Sequence, residues 1–201
     1  MKTPLQFYFD FSSPYGYFAA VRIDELAAEF GRLVDWHPVL LGVIFKTTET
    51  RPLLQLPLKG PYSKHDLTRT ARHHQIAFKL PTIFPIASHQ TARAMLWIQN
   101  KHGKDIAKQF AKKCYQSYFV DDINISEVEA ILKIAADCGV NSEEVANGIQ
   151  LPEIKVQLKT EVDVALEQGV FGSPFVVVDG EAFWGFDRFY QIEALLKNGQ
   201  I

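Results

Sequence analysis

The chain has 201 residues, 47% of them hydrophobic, and a formal net charge of −2. This length and composition provide for one substantial core, or one core with a satellite domain, and they exclude a disordered chain. We expect no nucleic-acid partner, because the charge balance lacks a basic footprint, and no membrane span, because no window approaches about 18 uncharged apolar residues.

The N-terminal apolar run is interrupted by Asp10 and does not have the form of a secretory signal. We therefore expect a cytoplasmic protein. Cys114 and Cys138 form no C-x-x-C pair, so the sequence indicates neither a metal knuckle nor a redox pair. A single disulfide and two free thiols both remain open, and free thiols are the commoner case in a reducing compartment.

The first three predicted elements form a βαβ unit. Residues 5–11 are apolar on both faces, which predicts a central strand covered on two sides. Apolar residues recur at helical spacing over 14–30, and Gly31 ends that helix. Residues 33–40 form a second strand, and a crossover helix requires the two strands to be parallel.

The middle of the chain is predicted to be helical after an irregular loop. Residues 46–62 contain three prolines and a glycine, which favours a long loop. The helices predicted beyond this loop span 63–75, 88–101, 105–118, 126–137 and 142–147. Ser126 and Glu129 have the spacing of a capping box at the start of the fourth of these helices.

The last part returns to mixed α/β structure. After a helix over 153–168, two short apolar runs at 175–178 and 182–184 are separated by Asp179-Gly180, a strong hairpin signal. A final helix is predicted over 187–197, where Asp187 is placed to cap it.

This element order predicts an α/β fold, a thioredoxin-like domain interrupted by an all-helical insertion. The expected boundaries are 1–45 with 152–201 for the discontinuous thioredoxin-like domain, and 46–151 for the helical domain. The exposed helical faces of the insertion are compatible with a homodimer.

The junction between the first strand and first helix carries two hydroxyls. Ser13-Pro14-Tyr15-Gly16 has the spacing of a Cys-Pro-x-Cys redox motif without its sulfurs. Proline at the first helical position leaves backbone N–H groups directed at one spot, which favours an anion there. Ser13 is a natural helix cap, and Ser12 is interpreted as a local turn residue.

A second feature is Ser173-Pro174, at the entrance to the third strand. A proline there is either an ordinary trans residue or part of a functional corner. In a thioredoxin-like arrangement we expect a cis bond facing the start of the first helix. The N–H and C=O groups of Ser173 would then be free to pair with a peptide-like ligand.

Four stretches together resemble the 2-hydroxychromene-2-carboxylate isomerase family, which is related to kappa-class glutathione transferases within the DsbA-like thioredoxin superfamily. These stretches are FDFSSPYGYFA, PYSKHDLTRTARHHQ, LPTIFP and FGSPFVVVDGEAFWGFDR. The resemblance covers essentially the whole chain, and it implies that glutathione supplies the missing thiol. Ser13 would donate a hydrogen bond to the glutathione sulfur and favour its thiolate.

The resemblance also implies the rest of the glutathione site. Ser173 and Pro174 would contact glutathione, and Phe186 with Asp187 would hold the glutamyl end. Three positions depart from the family pattern: Thr50 replaces a common asparagine, Ser173 a larger apolar residue, and Phe186 a small or polar residue. We expect Phe186 to narrow the pocket.

A substrate-binding region is predicted above this site. Lys59, Tyr62 and Lys64 lie on the loop and helix expected to roof it, and Lys64 is open to two interpretations, a carboxylate ligand or a solvated surface lysine. Phe11, Tyr15 and Trp184 are candidates to line an apolar pocket for an aromatic ligand.

No metal is expected. The histidines 65, 73, 74, 89 and 102 form no set with recognised ligand spacing, and the neighbours His73 and His74 should face different ways on a helix.

The leading hypothesis is a glutathione-dependent isomerase whose thiolate adds reversibly to a conjugated double bond of a small aromatic α-keto acid. One alternative is a kappa-type glutathione transferase that conjugates an electrophile. Another is a glutathione- or peptide-binding module without chemistry. A dithiol oxidoreductase is disfavoured because Ser13 and Gly16 occupy both sulfur positions.

Overall fold

A four-stranded sheet organises the fold in the computed structural model, which describes residues 2–201. The strands are β1 (Leu5–Phe9), β2 (Val34–Pro38), β3 (Phe175–Val178) and β4 (Glu181–Trp184), in the order β2-β1-β3-β4. β1 pairs with β2 in parallel and with β3 in antiparallel orientation, and β3 pairs with β4 in antiparallel orientation. The predicted βαβ unit, the internal position of β1 and the β3–β4 hairpin are therefore confirmed.

Nine helices accompany the sheet in the described part of the chain. They are α1 (Pro14–Glu29), α2 (Leu41–Thr47), α3 (Lys59–His73), α4 (His89–His102), α5 (Lys104–Phe119), α6 (Val128–Ala136), α7 (Ser142–Gly148), α8 (Pro152–Glu167) and α9 (Phe189–Asn198). None of the described helices is long and apolar enough to cross a membrane. The mixed α/β class is confirmed, whereas the two-domain boundaries remain a prediction.

The irregular loop predicted over residues 46–62 is confirmed for residues 48–58 and wrong at its two ends, which belong to helices α2 and α3. Helix α2 was not predicted, because its segment LGVIFKT contains Gly42 and β-branched residues of low helix propensity. Helix α3 begins at Lys59, with Pro61 in its first turn, where a missing backbone N–H costs no helical hydrogen bond. Residues 48–58 connect the two helices, and they contain one 3₁₀ turn, Leu53–Gln55.

Both side-chain caps predicted for later helices are wrong. The Ser126 N–H and hydroxyl donate to Asn124 Oδ1, which makes a local turn instead of a capping box, and α6 begins only at Val128. Asp187 lies in a 3₁₀ turn before α9, whose start has no side-chain cap.

An aromatic cluster fills the core between the sheet and the helices. The Phe9 ring centroid lies 5.2 Å from those of Phe7, Phe11 and Trp36, and 5.8 Å from that of Tyr115 on α5. Phe11 is fully buried in this cluster, so the prediction that it lines a ligand pocket is wrong. These rings fix the end of β1, from which the chain enters the candidate site.

Arg32 ties the first part of the chain to the last. Its guanidinium makes two hydrogen bonds, of 3.0 and 2.8 Å, to the carboxylate of Asp179 in the β3–β4 turn. Its Nε donates to the Thr3 carbonyl at 2.6 Å. Paired guanidinium–carboxylate bonds of this kind fix geometry as well as add energy, and the contact with Arg32 holds the pKa of Asp179 below its ordinary value.

Candidate functional site

Ser13 stands at the start of α1 and is almost completely buried, with 4% of its surface exposed. Its Oγ accepts a hydrogen bond of 3.0 Å from the Gly16 N–H, which confirms the predicted helix cap. The same hydroxyl donates to the Ser173 carbonyl at 2.9 Å. A single hydroxyl thus joins the helix start to the loop that enters β3.

The Ser173–Pro174 peptide bond is cis. The prediction that the Ser173 carbonyl is free is wrong, because Ser13 already donates a hydrogen bond to it. The Ser173 N–H has no protein acceptor among residues 2–201. The Ser173 hydroxyl, a departure from the family pattern, accepts a 3.0 Å hydrogen bond from the Asp10 N–H.

Asp10 is a central residue that the sequence analysis did not assign. Its Oδ1 accepts from the Ser12 N–H, the Ser12 hydroxyl and the Ser88 hydroxyl at 2.7, 2.8 and 2.8 Å. Its Oδ2 accepts from the Leu41 N–H at 2.6 Å. Burial raises the pKa of Asp10, while these hydrogen bonds oppose the rise. The sequence signal was a lone carboxylate between Phe9 and Phe11 in an otherwise apolar run.

These residues line a cavity of about 810 Å³. We call segments 10–15 and 172–173, which line the cavity except at Phe11, the floor, and segment 49–59, most of which also lines it, the roof. The side walls come from α2 and from the start of α4, and Phe171 and Trp184 lie at the open end. The lining is mainly apolar, and it contains no cysteine among the described residues.

The structure brings together some of the predicted site residues. Ser13, Ser173, Lys59 and Trp184 all line the cavity, as does Thr50, whose hydroxyl lies 2.9 Å from that of Thr48. Tyr15 also lines it, as the sequence suggested for an aromatic ligand.

Other predicted residues lie elsewhere. Phe186 is buried in the core, 5.9 Å from the Phe18 ring and 4.7 Å from the His74 ring, so it does not narrow the cavity as predicted. Asp187 is exposed and lies outside the lining. Tyr62 and Lys64 are exposed on α3, also outside the lining, and Tyr62 accepts a 3.1 Å hydrogen bond from Arg69. The directions of these four side chains could not be predicted from the local sequence.

A hydrogen bond links the floor to the helix that follows the roof. The Tyr15 hydroxyl donates to Asp66 Oδ2 on α3 at 2.6 Å, and Asp66 also pairs with Arg69. Burial, followed by this hydrogen bond, raises the pKa of Tyr15 well above its ordinary value. Tyr15 is therefore a neutral hydrogen-bond donor at physiological pH.

The histidines form no metal site among residues 2–201. The prediction that His73 and His74 face different ways is wrong, since their ring centroids are 4.8 Å apart where α3 ends. His89 lines the cavity, and burial, assisted by Arg93, lowers its pKa. Cys114 and Cys138 are both free thiols.

A protein-family model described as a DSBA-like thioredoxin domain matches residues 4–197. The chain belongs to the DsbA-like thioredoxin family. Its relatives include 2-hydroxychromene-2-carboxylate isomerase of Sphingobium xenophagum, 25% identical over 198 residues, with 98% of this chain and 99% of the relative covered. Glutathione S-transferase kappa 1 of Homo sapiens is 26% identical over 204 residues, covering 96% and 90%. The resemblance to isomerases and kappa-class transferases is thereby confirmed.

Solved structures show the same DsbA-like fold. A 2-hydroxychromene-2-carboxylate isomerase superimposes with a TM-score of 0.84 at 22% identity, covering 97% of this chain and 95% of the other. The cytosolic disulfide reductase DsbM from Pseudomonas aeruginosa, solved with GSH, gives a TM-score of 0.69 at 17% identity, with 98% of each chain covered. These likenesses confirm the thioredoxin-like architecture of the sheet and its helices.

Proposed function

We propose that this DsbA-like protein is a glutathione-dependent isomerase that acts in the cytoplasm on a small aromatic α-keto acid. The observation that carries the proposal is the Ser13 hydroxyl, placed at a helix N-terminus on the floor of an apolar cavity. A cavity of about 810 Å³ lies within the range of small-molecule sites, roughly 300–1,000 Å³. It accommodates a peptide-like cofactor beside an aromatic substrate.

The residues on the floor fit glutathione. The Ser173 N–H has no protein acceptor among the described residues, and its carbonyl retains a second lone pair. A peptide lying along Ser173 would pair with both groups as a short added strand. The N–H of the bound peptide would compete with the Ser13 hydroxyl for the Ser173 carbonyl. The Ser13 hydroxyl would then be released to donate its proton to a neighbouring sulfur.

When bound, glutathione would supply a thiolate that adds reversibly to a conjugated double bond and leaves after rotation about the resulting single bond. Ser13 would stabilise the negative sulfur by donating its hydroxyl proton. Lowering a thiol pKa by ~2 units requires about 2.7 kcal/mol. A helix N-terminus contributes roughly 0.3 to 1 kcal/mol and a hydrogen bond to a charged group roughly 1.5 to 3 kcal/mol, so the two together can supply it.

The other parts of the cavity have separate roles in this proposal. Lys59 and the roof would face the substrate, with its ring among apolar side chains near Trp184. Asp187 and the backbone of Phe186 would have to meet the glutamyl end beyond the lining, and Tyr62 and Lys64 would need to turn inward to contact substrate. We therefore expect these four residues to contribute less to ligand binding than the residues that line the cavity.

The test is an ultraviolet pH titration of the glutathione thiolate bound to wild-type protein, Ser13→Ala and Asn141→Ala. The last variant removes the side-chain cap of α7, away from the cavity, and therefore controls for cap loss, which costs about 1 kcal/mol in either helix. We expect a bound pKa below that of free glutathione in wild type and Asn141→Ala. Ser13→Ala should return it toward the free value by about 1 to 2 units.

An unshifted thiol in the wild-type protein would replace this proposal with the non-catalytic binding module. The kappa-type transferase alternative is supported by the named relatives in Homo sapiens and Caenorhabditis elegans. Mass spectrometry separates the two enzymes. An isomerase converts 2-hydroxychromene-2-carboxylate into a product of the same mass and regenerates glutathione. A transferase yields a conjugate that retains glutathione.

A further inference from the structure

Three polar side chains on the cavity wall form a cluster that the proposed thiol chemistry does not use. They are Asp10, Ser12 and Ser88, which all line the cavity. Asp10 and Ser88 have only 2% and 5% of their surfaces exposed. They come from the end of β1, the start of α1 and the residue before α4. The fold therefore brings Ser88 to Asp10, which lies 78 positions earlier in the chain.

The two hydroxyls of the cluster have a fixed hydrogen-bonding role. A serine hydroxyl has one proton to donate and two lone pairs to accept. Ser12 and Ser88 each donate that proton to Asp10 Oδ1 at 2.8 Å. What each oxygen retains is its capacity to accept. Ser13 differs, because its hydroxyl donates to Ser173 and accepts from Gly16.

Asp10 keeps both hydroxyls in this orientation. Its two carboxylate oxygens also accept from the backbone N–H groups of Ser12 and Leu41, which cannot reverse their direction. These bonds stabilise the ionised carboxylate, although burial raises the pKa of Asp10. Within residues 2–201 no lysine, arginine or histidine forms an ion pair with Asp10. The Asp10 carboxyl group, held by four hydrogen-bond donors within these residues, therefore lies behind the two accepting oxygens.

We propose that Ser12 and Ser88, oriented by Asp10, form an acceptor subsite that binds a hydroxyl or N–H group on the aromatic second substrate. The subsite selects a neutral hydrogen-bond donor at that end of the ligand, and it disfavours a carboxylate there because two acceptor groups would face each other. Leu41 and Phe45 of α2 and Phe84 line the same cavity, and their apolar side chains would pack against the aromatic ring of the ligand. The inference rests on the proposed function only in treating the cavity as the second-substrate site.

The subsite predicts a measurable preference between two neutral ligands, para-hydroxyacetophenone and acetophenone. The apolar lining alone favours acetophenone, because the hydroxyl loses its hydration on entering the cavity. A hydrogen bond from the ligand hydroxyl to Ser12 or Ser88 reverses that order. We expect wild-type protein, without glutathione, to bind the hydroxylated ligand about tenfold more tightly in ligand-observed NMR titrations.

Three variants and one control test the origin of this preference. In Asp10→Asn, the amide group can donate to a serine oxygen and release a hydroxyl proton, so the preference should fall to within about twofold. Ser12→Ala and Ser88→Ala each remove one acceptor and should give intermediate values. Ser63→Ala removes a hydroxyl elsewhere in the cavity lining and should leave the ratio unchanged.

A wild-type protein that binds acetophenone as tightly as its hydroxylated analogue would overturn the subsite. A preference that survives in the Ser12→Ala, Ser88→Ala double variant would also do so, and this variant keeps the test decisive if Asp10→Asn does not fold. Because glutathione is absent, these outcomes are independent of the thiol titration. A failed subsite with a shifted thiol pKa leaves the isomerase proposal intact, and the reverse result leaves the subsite.

Discussion

The floor and the roof of the cavity are held by different forces. On the floor, Asp10, Ser13 and Ser173 are joined by hydrogen bonds of 2.9 to 3.0 Å, and Ser13 is 4% exposed. In the roof, Leu53 and Leu58 are 42% and 89% exposed. Buried polar groups joined by hydrogen bonds specify one geometry, whereas exposed apolar side chains do not. The floor is therefore suited to position reacting atoms, and the roof to adapt to the ligand.

The roof also contains a strained turn. Leu58 has φ 64° and ψ −47°, and the Lys59 N–H donates to the Pro57 carbonyl at 2.7 Å. This is a γ-turn of the rare form, which is unfavourable for a residue with a side chain. The strain lies where the roof enters α3, and it contrasts with the ordinary backbone of Ser13, at φ −87° and ψ 115°.

The largest expected effect comes from Gly16→Ala, which breaks the floor. A Cβ at Gly16 would lie 2.8 Å from Ser173 Oγ, 2.9 Å from the Tyr115 hydroxyl and 3.0 Å from Ser13 Cβ. We expect turnover of 2-hydroxychromene-2-carboxylate to fall about 100-fold, because displacements near 1 Å misalign reacting groups. Stability should fall by about 1 to 3 kcal/mol.

Gly42→Ala is the matched control for stability, since nothing lies within 4 Å of its new Cβ in α2. Its free energy of unfolding should change by less than about 1 kcal/mol. Steady-state kinetics and urea denaturation measure both variants. Near-normal turnover in Gly16→Ala would show that the floor tolerates rearrangement, contrary to the comparison.

The next effect comes from Tyr15→Phe, which separates the floor from α3. The variant removes the 2.6 Å hydrogen bond to Asp66, and we expect a loss of about 1 kcal/mol in stability. The KM for the second substrate should rise severalfold while the pKa of bound glutathione stays constant. Tyr190→Phe on α9, where the side chain is exposed, is the control. A parallel shift in thiol pKa would mean that the floor and α3 are not independent.

A smaller effect is expected from Leu58→Gly, which relaxes the roof. Glycine adopts positive φ without steric cost, although it gains entropy in the unfolded chain. The variant should be more stable than wild type by roughly 0.5 to 1 kcal/mol in urea denaturation. Leu53→Gly, in the same segment but in a 3₁₀ turn, should be less stable. Destabilisation by both changes would contradict the assignment of strain to Leu58.

The smallest effect concerns His89 on the wall between floor and roof. Its pKa is lowered in the folded state by burial and by Arg93. The unfolded chain therefore binds the proton more readily, and the free energy of unfolding should decrease as pH falls below about 6.5.

In His89→Gln this dependence should be shallower, by less than about 1 kcal/mol, because the side chain is partly exposed and screened. Urea denaturation between about pH 5 and 8 measures it. The exposed His65 on α3 provides the control variant His65→Gln. An unchanged slope in His89→Gln would show that this wall is as hydrated as the surface.

Sequence reasoning succeeded where structure depends on near neighbours. The β1 strand follows from its continuous apolar run, the β3–β4 turn from Asp179-Gly180, and the Ser13 cap from the proline beside it. Each depends on contacts within a few residues.

The failures arose from distant contacts. Helix α2 has weak intrinsic propensity, and its first N–H is bound by Asp10, 31 positions earlier. Asp10 itself was missed because its partners come from separate segments. Phe186 was expected at the cavity, but its ring packs against Phe18 of α1, and Tyr62 is instead exposed on α3, where it accepts a hydrogen bond from Arg69.

The adjacency of β1 and β3 has a consequence for how the protein is made. Ser13 and Ser173, which share the floor, are 160 residues apart in the chain. Contacts between such distant residues require closure of a long loop and form late, and a chain emerging from the ribosome cannot make them until its last part is synthesised. Binding of glutathione at the floor would therefore report completed synthesis and folding, and partially made chains would compete for neither cofactor nor substrate.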